Sequence, residues 1–492
     1  MSSGAAGRGL RALRAFALRA AVAWVALAAA AGALAPASAS AQQTTRPKWD
    51  TRVLAQVPSP GFPALSLVGA DRRIFVGSFE NPAGDSITPK LFRFGPDGSL
   101  ETSFSPGQQD LSMPHGYQVA AQDGQGFLYV LQQSPPRVLR VNPNDGTWTY
   151  YASFAQVPPC SSASPGTECK QATADNPSEP DYAAWGTDGS LYVTDYQQAL
   201  IWKVPPGGGT AHVWFTDPRL DGVQFDAAGI VLMPDHRTLL FDTAASAPST
   251  GPDYTQGKLY QLPIQPDGRP GTLRQLWESG PREAPDGFAL AQSGNVYLAL
   301  VGPGVDQLVE ISPQGQELGR YPPDEATNNA RPIPYDEPSS VQFDGERMIV
   351  TNLSYFQGNA SHQVLFDVWA GEPGMPVYHP PAALTAPAAA APAAGQAPGR
   401  LQGLILRASR RHLRPRRRAR VVFTVTLAPP AEARPVAGVT VRVGARTAVT
   451  GGTGQATIVI RPRRRGTLRV VAAKPGYSAS QLELPVLRRR GG

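Results

Sequence analysis

The chain has only 2 cysteines among its 492 residues, too few for a thiolate metal centre and enough for one disulfide. No stretch after residue 41 is long and apolar enough to cross a bilayer. A Gly-x-Ser-x-Gly nucleophile elbow, a His-Glu-x-x-His zinc motif and a phosphate-binding glycine loop are all missing, which removes the enzyme classes built on them. Helical periodicity is absent between residues 60 and 380. What is abundant is 50 Gly and 50 Pro against 17% charged residues, the composition of a turn-rich, all-β chain too long for one small domain.

Arg8, Arg11, Arg14 and Arg19 flank or precede the apolar run "AVAWVALAAAAGALA", and Ala39-Ser40-Ala41 fits the small-residue rule for signal cleavage. Residues 1–41 are therefore expected to be an export signal, with a membrane anchor as the competing reading and a secreted or cell-surface location as the consequence. In an exported chain, Cys160 and Cys169 of "PPCSSASPGTECK" should form a local disulfide. The net charge of +7 conceals a division: residues 401–492 hold 20 Lys+Arg against Glu432 and Glu483, and the first 41 add +4, which leaves −15 on residues 42–400. Between acidic body and basic tail, the Ala/Pro-rich residues 380–400 suit an extended linker.

Across the body one unit recurs six times: a strand, a Gly/Asp turn, an aliphatic-aromatic strand and usually a third strand. The second strands are "RIFVGSF", "FLYVLQQ", "SLYVTDY", "TLLFDTA", "NVYLALV" and "RMIVTNL". Such units bury both faces only against their neighbours, so residues 42–379 are expected to form a six-bladed β-propeller, with "TRVLAQV" (51–57) closing the ring on the last blade. The first strands would then open around a central channel, where they bring His115, Asp181, Asp286 and Glu337, with Asp221 and Asp226 just upstream of the fourth.

These residues resemble the gluconolactonase/regucalcin-like family of six-bladed propellers, whose superfamily includes strictosidine-synthase-like and paraoxonase-like proteins. The likeness covers about residues 50–380 and rests chiefly on "AAGIVLMPDHRTLLFDT", "PDGFALAQSGNVYLA" and "PDYAAWGTDGSLYVTDY". It implies a divalent cation, calcium or zinc, held by a first-blade Glu, a fourth-blade Asn and the Asp of a fifth-blade Pro-Asp-Gly, and polarising a lactone carbonyl. In this chain the Asp is Asp286, the Asn position is Ala228, and the Glu position falls in "GFPALS", whose only side-chain oxygen is Ser66; a further family Asn falls near Asp181. Asp286 is thus either a surviving metal ligand or a turn residue, since "GPDGS" and "QPDGR" repeat the tripeptide. His115 is a candidate base or a hydrogen-bonded wall residue; Asp181 and Glu337 are candidate ligand contacts, and Glu337, before Pro338, equally suits a turn cap.

Residues 401–492 alternate again, in an order that resembles small bacterial immunoglobulin-like modules. Their arginine clusters lack interleaved aromatics, which argues against a base-stacking nucleic-acid site; the +18 density suits an anionic cell-surface polymer or lipid as partner, with the acidic body as competing partner and a merely solvated surface as the alternative. Two functions stay open, a monomeric binding or scaffold protein with a small-molecule ligand and a degenerate lactonase-like site, and a lactone or small-ester hydrolase; the lost ligands favour the first.

Overall fold

The computed structural model describes residues 46–172, 176–222, 226–245, 256–302, 304–386, 402–410, 412–427, 434–444, 446–474, 477–478 and 480–487. The expected export signal lies outside them, as does the expected linker beyond residue 386.

Six antiparallel sheets succeed one another between Thr51 and Trp369. Their first strands are Pro63–Val68, Tyr117–Gln122, Pro180–Trp185, Ala227–Leu232, Pro285–Leu290 and Pro338–Asp344. Each of these touches the next, and the sixth touches the first, so the sheets close a ring around a common axis. The second strands are the most deeply buried: every residue of Leu128–Gln132, Leu191–Asp195 and Val296–Leu300 is buried. Their apolar side chains pack between neighbouring sheets, as Tyr192 and Ile201 of the third do with Phe241 and Tyr260 of the fourth. Full burial of one such side chain stabilises by about 1.5–3 kcal/mol, so the contacts between sheets hold the ring together.

Four of the sheets have an outer strand that the sequence pattern misses. Leu100–Phe104, His212–Thr216, Arg274–Glu278 and Glu317–Tyr321 lie at the outer edge with most residues exposed or half-buried, so they lack the apolar alternation that marks a strand. In the sixth sheet that outer place is taken by Thr51–Gln56, which pairs antiparallel with Val364–Trp369. Trp49 extends the seam: its amide donates to the Trp369 carbonyl at 2.7 Å and its ring stacks on Tyr321.

One end of the axis is covered. After the sixth sheet the chain runs across it, bonding Met375 N to Leu290 O on the fifth sheet and Pro380 O to Gly124 N on the second. Met375, Pro376, Val377 and Tyr378 thereby cap an apolar cavity of about 90 Å³ lined by Leu65, Trp185 and Phe288. The linker was expected to start at Pro380, yet the short helix Ala382–Thr385 is docked, with Thr385 buried and its hydroxyl donating to Asp123 Oδ2 at 3.2 Å. Ala/Pro composition does not register such docking, because the contacts are made by one hydroxyl and by backbone.

Residues 402–486 form two further four-stranded sheets around a core of their own, centred on Val421, Phe423, Val441, Ile458 and Val470.

Cys160 and Cys169 are bonded to each other in a loop between the second and third sheets, where Cys160 N also donates to Lys170 O at 2.8 Å. Free-thiol counting without reductant should find none. With so short a loop closed, reduction should cost at most about 3 kcal/mol and leave the circular dichroism spectrum unchanged.

Candidate functional site

Four sheets share one irregularity near the open end of the axis. In the first, third, fourth and fifth sheets, two residues of the first strand face one residue of the second. The doubled pairs are Ala64–Leu65, Asp181–Tyr182, Ala228–Gly229 and Asp286–Gly287, and the single residues opposite are Gly77, Thr194, Asp242 and Ala299. Bulges of this kind re-aim side chains, and they set Asp181, Ala228 and Asp286 at equivalent places around the ring.

This placement decides the status of Asp286. In "GPDGS" and "QPDGR" the glycines Gly98 and Gly268 have φ of +83° and +79°, and the Asp97 and Asp267 carboxylates accept from Ser99 N and Arg269 N, as turn residues do. Asp286 instead lies within the strand Pro285–Leu290. Gly287 is required for a different reason: a Cβ there would lie 2.2 Å from the Tyr182 hydroxyl, which crosses the axis to donate to Ser339 O at 2.8 Å. The turn reading of this Pro-Asp-Gly is therefore corrected.

Asp242 is the residue that the sequence pattern did not single out. Where the other bulged sheets place Gly77, Thr194 and Ala299, the fourth places a carboxylate that is 0% exposed, and neither of its oxygens has a hydrogen-bond partner. Thr194 shows what the position ordinarily does, accepting from Tyr182 N at 3.1 Å and donating to Ala228 O at 2.6 Å. Room for Asp242 comes from Gly229, where a Cβ would lie 3.0 Å from both Asp242 Oδ2 and Asp286 O. A clue exists in the sequence, "AAG" facing "FDT", but it is visible only once the register is known.

Burial drives all three carboxyls upward, and Asp286 adds to the rise of the other two. Asp181 is held well above the usual carboxylate range by burial, then by Asp286 and Glu179, although Gln118 donates to its Oδ1 at 2.7 Å. Asp242 is likewise pushed well up by burial, then by Asp286 and Asp181; the Gly229 amide, short of hydrogen-bond geometry, offsets this only partly. Asp286, deep among protein atoms yet keeping some accessible surface, is pushed up to about 7 by burial against the opposing pull of the Tyr182 hydroxyl and the Gly287 amide. The same three carboxyls, after burial itself, raise Tyr182. Among the described residues, no lysine, arginine or histidine is among the leading groups that act on them.

At the open end the other expected residues separate by role. His115 Nδ1 lies 2.8 Å from the Met113 carbonyl and Nε2 lies 2.9 Å from Asp85 Oδ2. The Met113 carbonyl can only accept, so Nδ1 carries a proton toward it, and Asp85 takes Nε2; both ring nitrogens are thus held by structural partners. Asp85 escaped notice because it sits 30 residues upstream in a polar loop. His115→Ala should therefore act on stability, costing about 1 kcal/mol in urea unfolding by removing one of two donors to half-buried Asp85, which keeps the Asn81 amide. Glu337 accepts from the amides of Tyr355 and Phe356 and so caps a loop; burial nevertheless pushes it up to about 7. Asp226 is structural too, accepting from Ala199 N and Gly222 N at 2.6 and 2.7 Å. Glu179 is pushed up to about 8 by burial, then by Glu80 and Asp195, and Glu80 accepts from the Tyr355 hydroxyl at 3.1 Å. Beside Tyr355, with Phe62 and Phe356, opens a cavity of about 460 Å³.

The family's metal does not fit these residues. Ala228 is buried and has no donor atom, and Ser66 Oγ is 3.1 Å from Ser340 Oγ. Among the described residues, no three His, Cys, Asp or Glu side chains stand where they could hold a metal ion.

No protein-family model and no curated protein sequence matches the chain. Solved structures do resemble it. Virginiamycin B lyase from Staphylococcus aureus aligns at 13% identity and a TM-score of 0.40, over 65% of this chain and 99% of that one. XC5397 from Xanthomonas campestris, a gluconolactonase, aligns at 15% and 0.40, over 66% and 99%. The PQQ-bound aldose sugar dehydrogenase from Streptomyces coelicolor aligns at 12% and 0.37, over 66% and 100%. Likenesses at this level assign neither activity nor site residues.

Proposed function

We propose that residues 42–379 form an exported, monomeric six-bladed propeller that binds a small organic cation at the carboxylate end of its axis, having kept a lactonase-like ring and lost the metal-ligand set. In this reading residues 1–41 are the export signal, and the linker 380–400 leads to an immunoglobulin-like module at 401–492. The observation that carries the ligand class is Asp242: a buried carboxylate with two oxygens unpartnered among the described residues, beside Asp181 and Asp286 and with no described lysine, arginine or histidine among the leading groups that act on it. Leaving such a group unpaired costs about 1–3 kcal/mol or more, so a donor-bearing occupant is favoured. A protonated primary amine offers three N–H donors that reach acceptors at about 2.8 Å, which suits three carboxyls that do not converge as metal ligands. The −15 charge of the body and the acidic rim at Glu80, Glu179 and Glu337 would draw such a ligand in.

Lactone or small-ester hydrolysis is the second reading, favoured by Asp286, whose position near 7 suits proton transfer at neutral pH. A thermal-shift screen of the full chain with aliphatic amines, lactones and calcium separates the two. Stabilisation by amines alone supports the binding reading. Turnover of any lactone, lost in Asp286→Asn, replaces it with the hydrolase.

A further inference from the structure

The arginine runs that are scattered through the sequence of the C-terminal sheets come together in space. In one sheet Ala419–Leu427 pairs antiparallel with Gln455–Ile460, Ala419 opposite Ile460, so the loop before the first strand and the loop after the second leave from the same end. Those loops contain "RRHLRPRRR" and "RPRRR". They are joined by backbone: Arg416 N donates to Pro462 O at 2.6 Å, and Arg461 Nε donates to Arg416 O at 3.2 Å. The first loop is also fixed to the other sheet, where Leu413, 2% exposed, exchanges hydrogen bonds with Pro485 O and Leu487 N. Gln402, where the chain enters this pair of sheets, lies toward the opposite end, because Leu404 is level with Leu427, the end of that strand away from the arginine loop.

Arg416, Arg417, Arg418, Arg463, Arg464 and Arg465 are all exposed, and none of the six forms an ion pair with a described residue. Six like charges on two short loops repel one another, and here a packed core sets their backbone in place without a neutralising carboxylate. Guanidinium forks bind phosphate oxygens in pairs, and several on rigid loops engage successive phosphates of one chain. Exposed large hydrophobics that could enter a bilayer are nearly absent from this end, Leu487 being the exception.

We propose that this arginine end is a docking surface for a linear phosphate-bearing polymer, engaged by the two loops together. The charge count of the tail implies only general attraction to polyanions; the register places the interaction on two named loops. It is independent of what the ring binds.

The test uses the full chain and long-chain inorganic polyphosphate as probe, with binding followed by fluorescence anisotropy across a salt series. Replacing the six arginines with glutamine should weaken binding at low salt at least about 100-fold, and should make the slope of log K against log salt shallower by about 4. A comparison variant, Arg52→Gln, Arg237→Gln, Arg269→Gln and Arg274→Gln in exposed positions of the ring, should bind as wild type does. Both variants should melt with wild type, since the replaced side chains are exposed. Equal binding by the six-arginine variant overturns the proposal, as does failure of the wild type to bind polyphosphate. Tighter binding to anionic vesicles or duplex DNA than to polyphosphate at equal phosphate concentration would also reject it, in favour of a lipid or nucleic-acid surface.

Discussion

At pH 8, without added ligand, Asp242→Asn should melt at least about 2 °C above wild type, the shift that about 1 kcal/mol produces in a domain of this size. Asparagine keeps the shape, removes a carboxyl whose ionisation is opposed by burial and by Asp286 and Asp181, and brings two N–H donors to the neighbouring carboxyls. The gain should shrink as the pH falls, and the sign follows from linkage. Asp286 and Glu337 are pushed up to about 7 and Glu179 to about 8, so the folded chain holds protons there that the unfolded chain has released above about pH 4–5. Their contribution to stability is therefore fully present below that range and is lost as the pH rises through about 8. Wild type should therefore be more stable at pH 5 than at pH 8 from this set, before other titrations oppose it. A fall in melting temperature for Asp242→Asn would show that the charge is already compensated in the isolated protein.

Removal of residues 42–57 should have the largest effect on the ring. Thr51–Gln56 supplies the outer strand of the sixth sheet, and Ala55 and Val57 are buried with Ile74, Phe92 and Phe94 of the first sheet, so this segment fastens the last sheet to the first. Its loss bares the edge of Val364–Trp369 and uncovers a core cluster. The truncated chain should lose at least about 5 kcal/mol, given 2–5 kcal/mol for each large buried side chain whose packing is removed, and should aggregate in size-exclusion chromatography. A truncated chain that elutes as a monomer and melts with wild type would show that the seam does not hold the ring.

The ring was legible because its second strands are rich in aliphatic and aromatic residues and are set off by Gly/Asp turns, a signal that survives without any register. The outer strands were not, since exposed edges carry no alternation, and neither was the segment from Met375 to Thr385, whose docking uses isolated side chains and backbone. Asp181 and Asp286 stood out because the sequence places them at strand openings. Asp242 could not, because "FDT" in a second strand looks like "VTD" in the one before it, and only the register shows that Asp195 is paired with Ser178 and Trp202 while Asp242 has no partner. The bulge likewise converts Pro-Asp-Gly at 285–287 from an apparent turn into an axial carboxyl, a distinction made by strand pairing and by Tyr182, 104 positions before Asp286 in the chain.

The most direct test of the cation-binding axis is a calorimetric titration of the full chain at pH 8 with 1,4-diaminobutane and, separately, with calcium chloride, in wild type and Asp242→Asn. The account predicts one-to-one binding of the diamine to wild type, weakened at least about tenfold in the variant by loss of one charge-assisted hydrogen bond, and no stoichiometric calcium. Stoichiometric calcium abolished by Asp242→Asn, or diamine binding equal in both proteins, would contradict it.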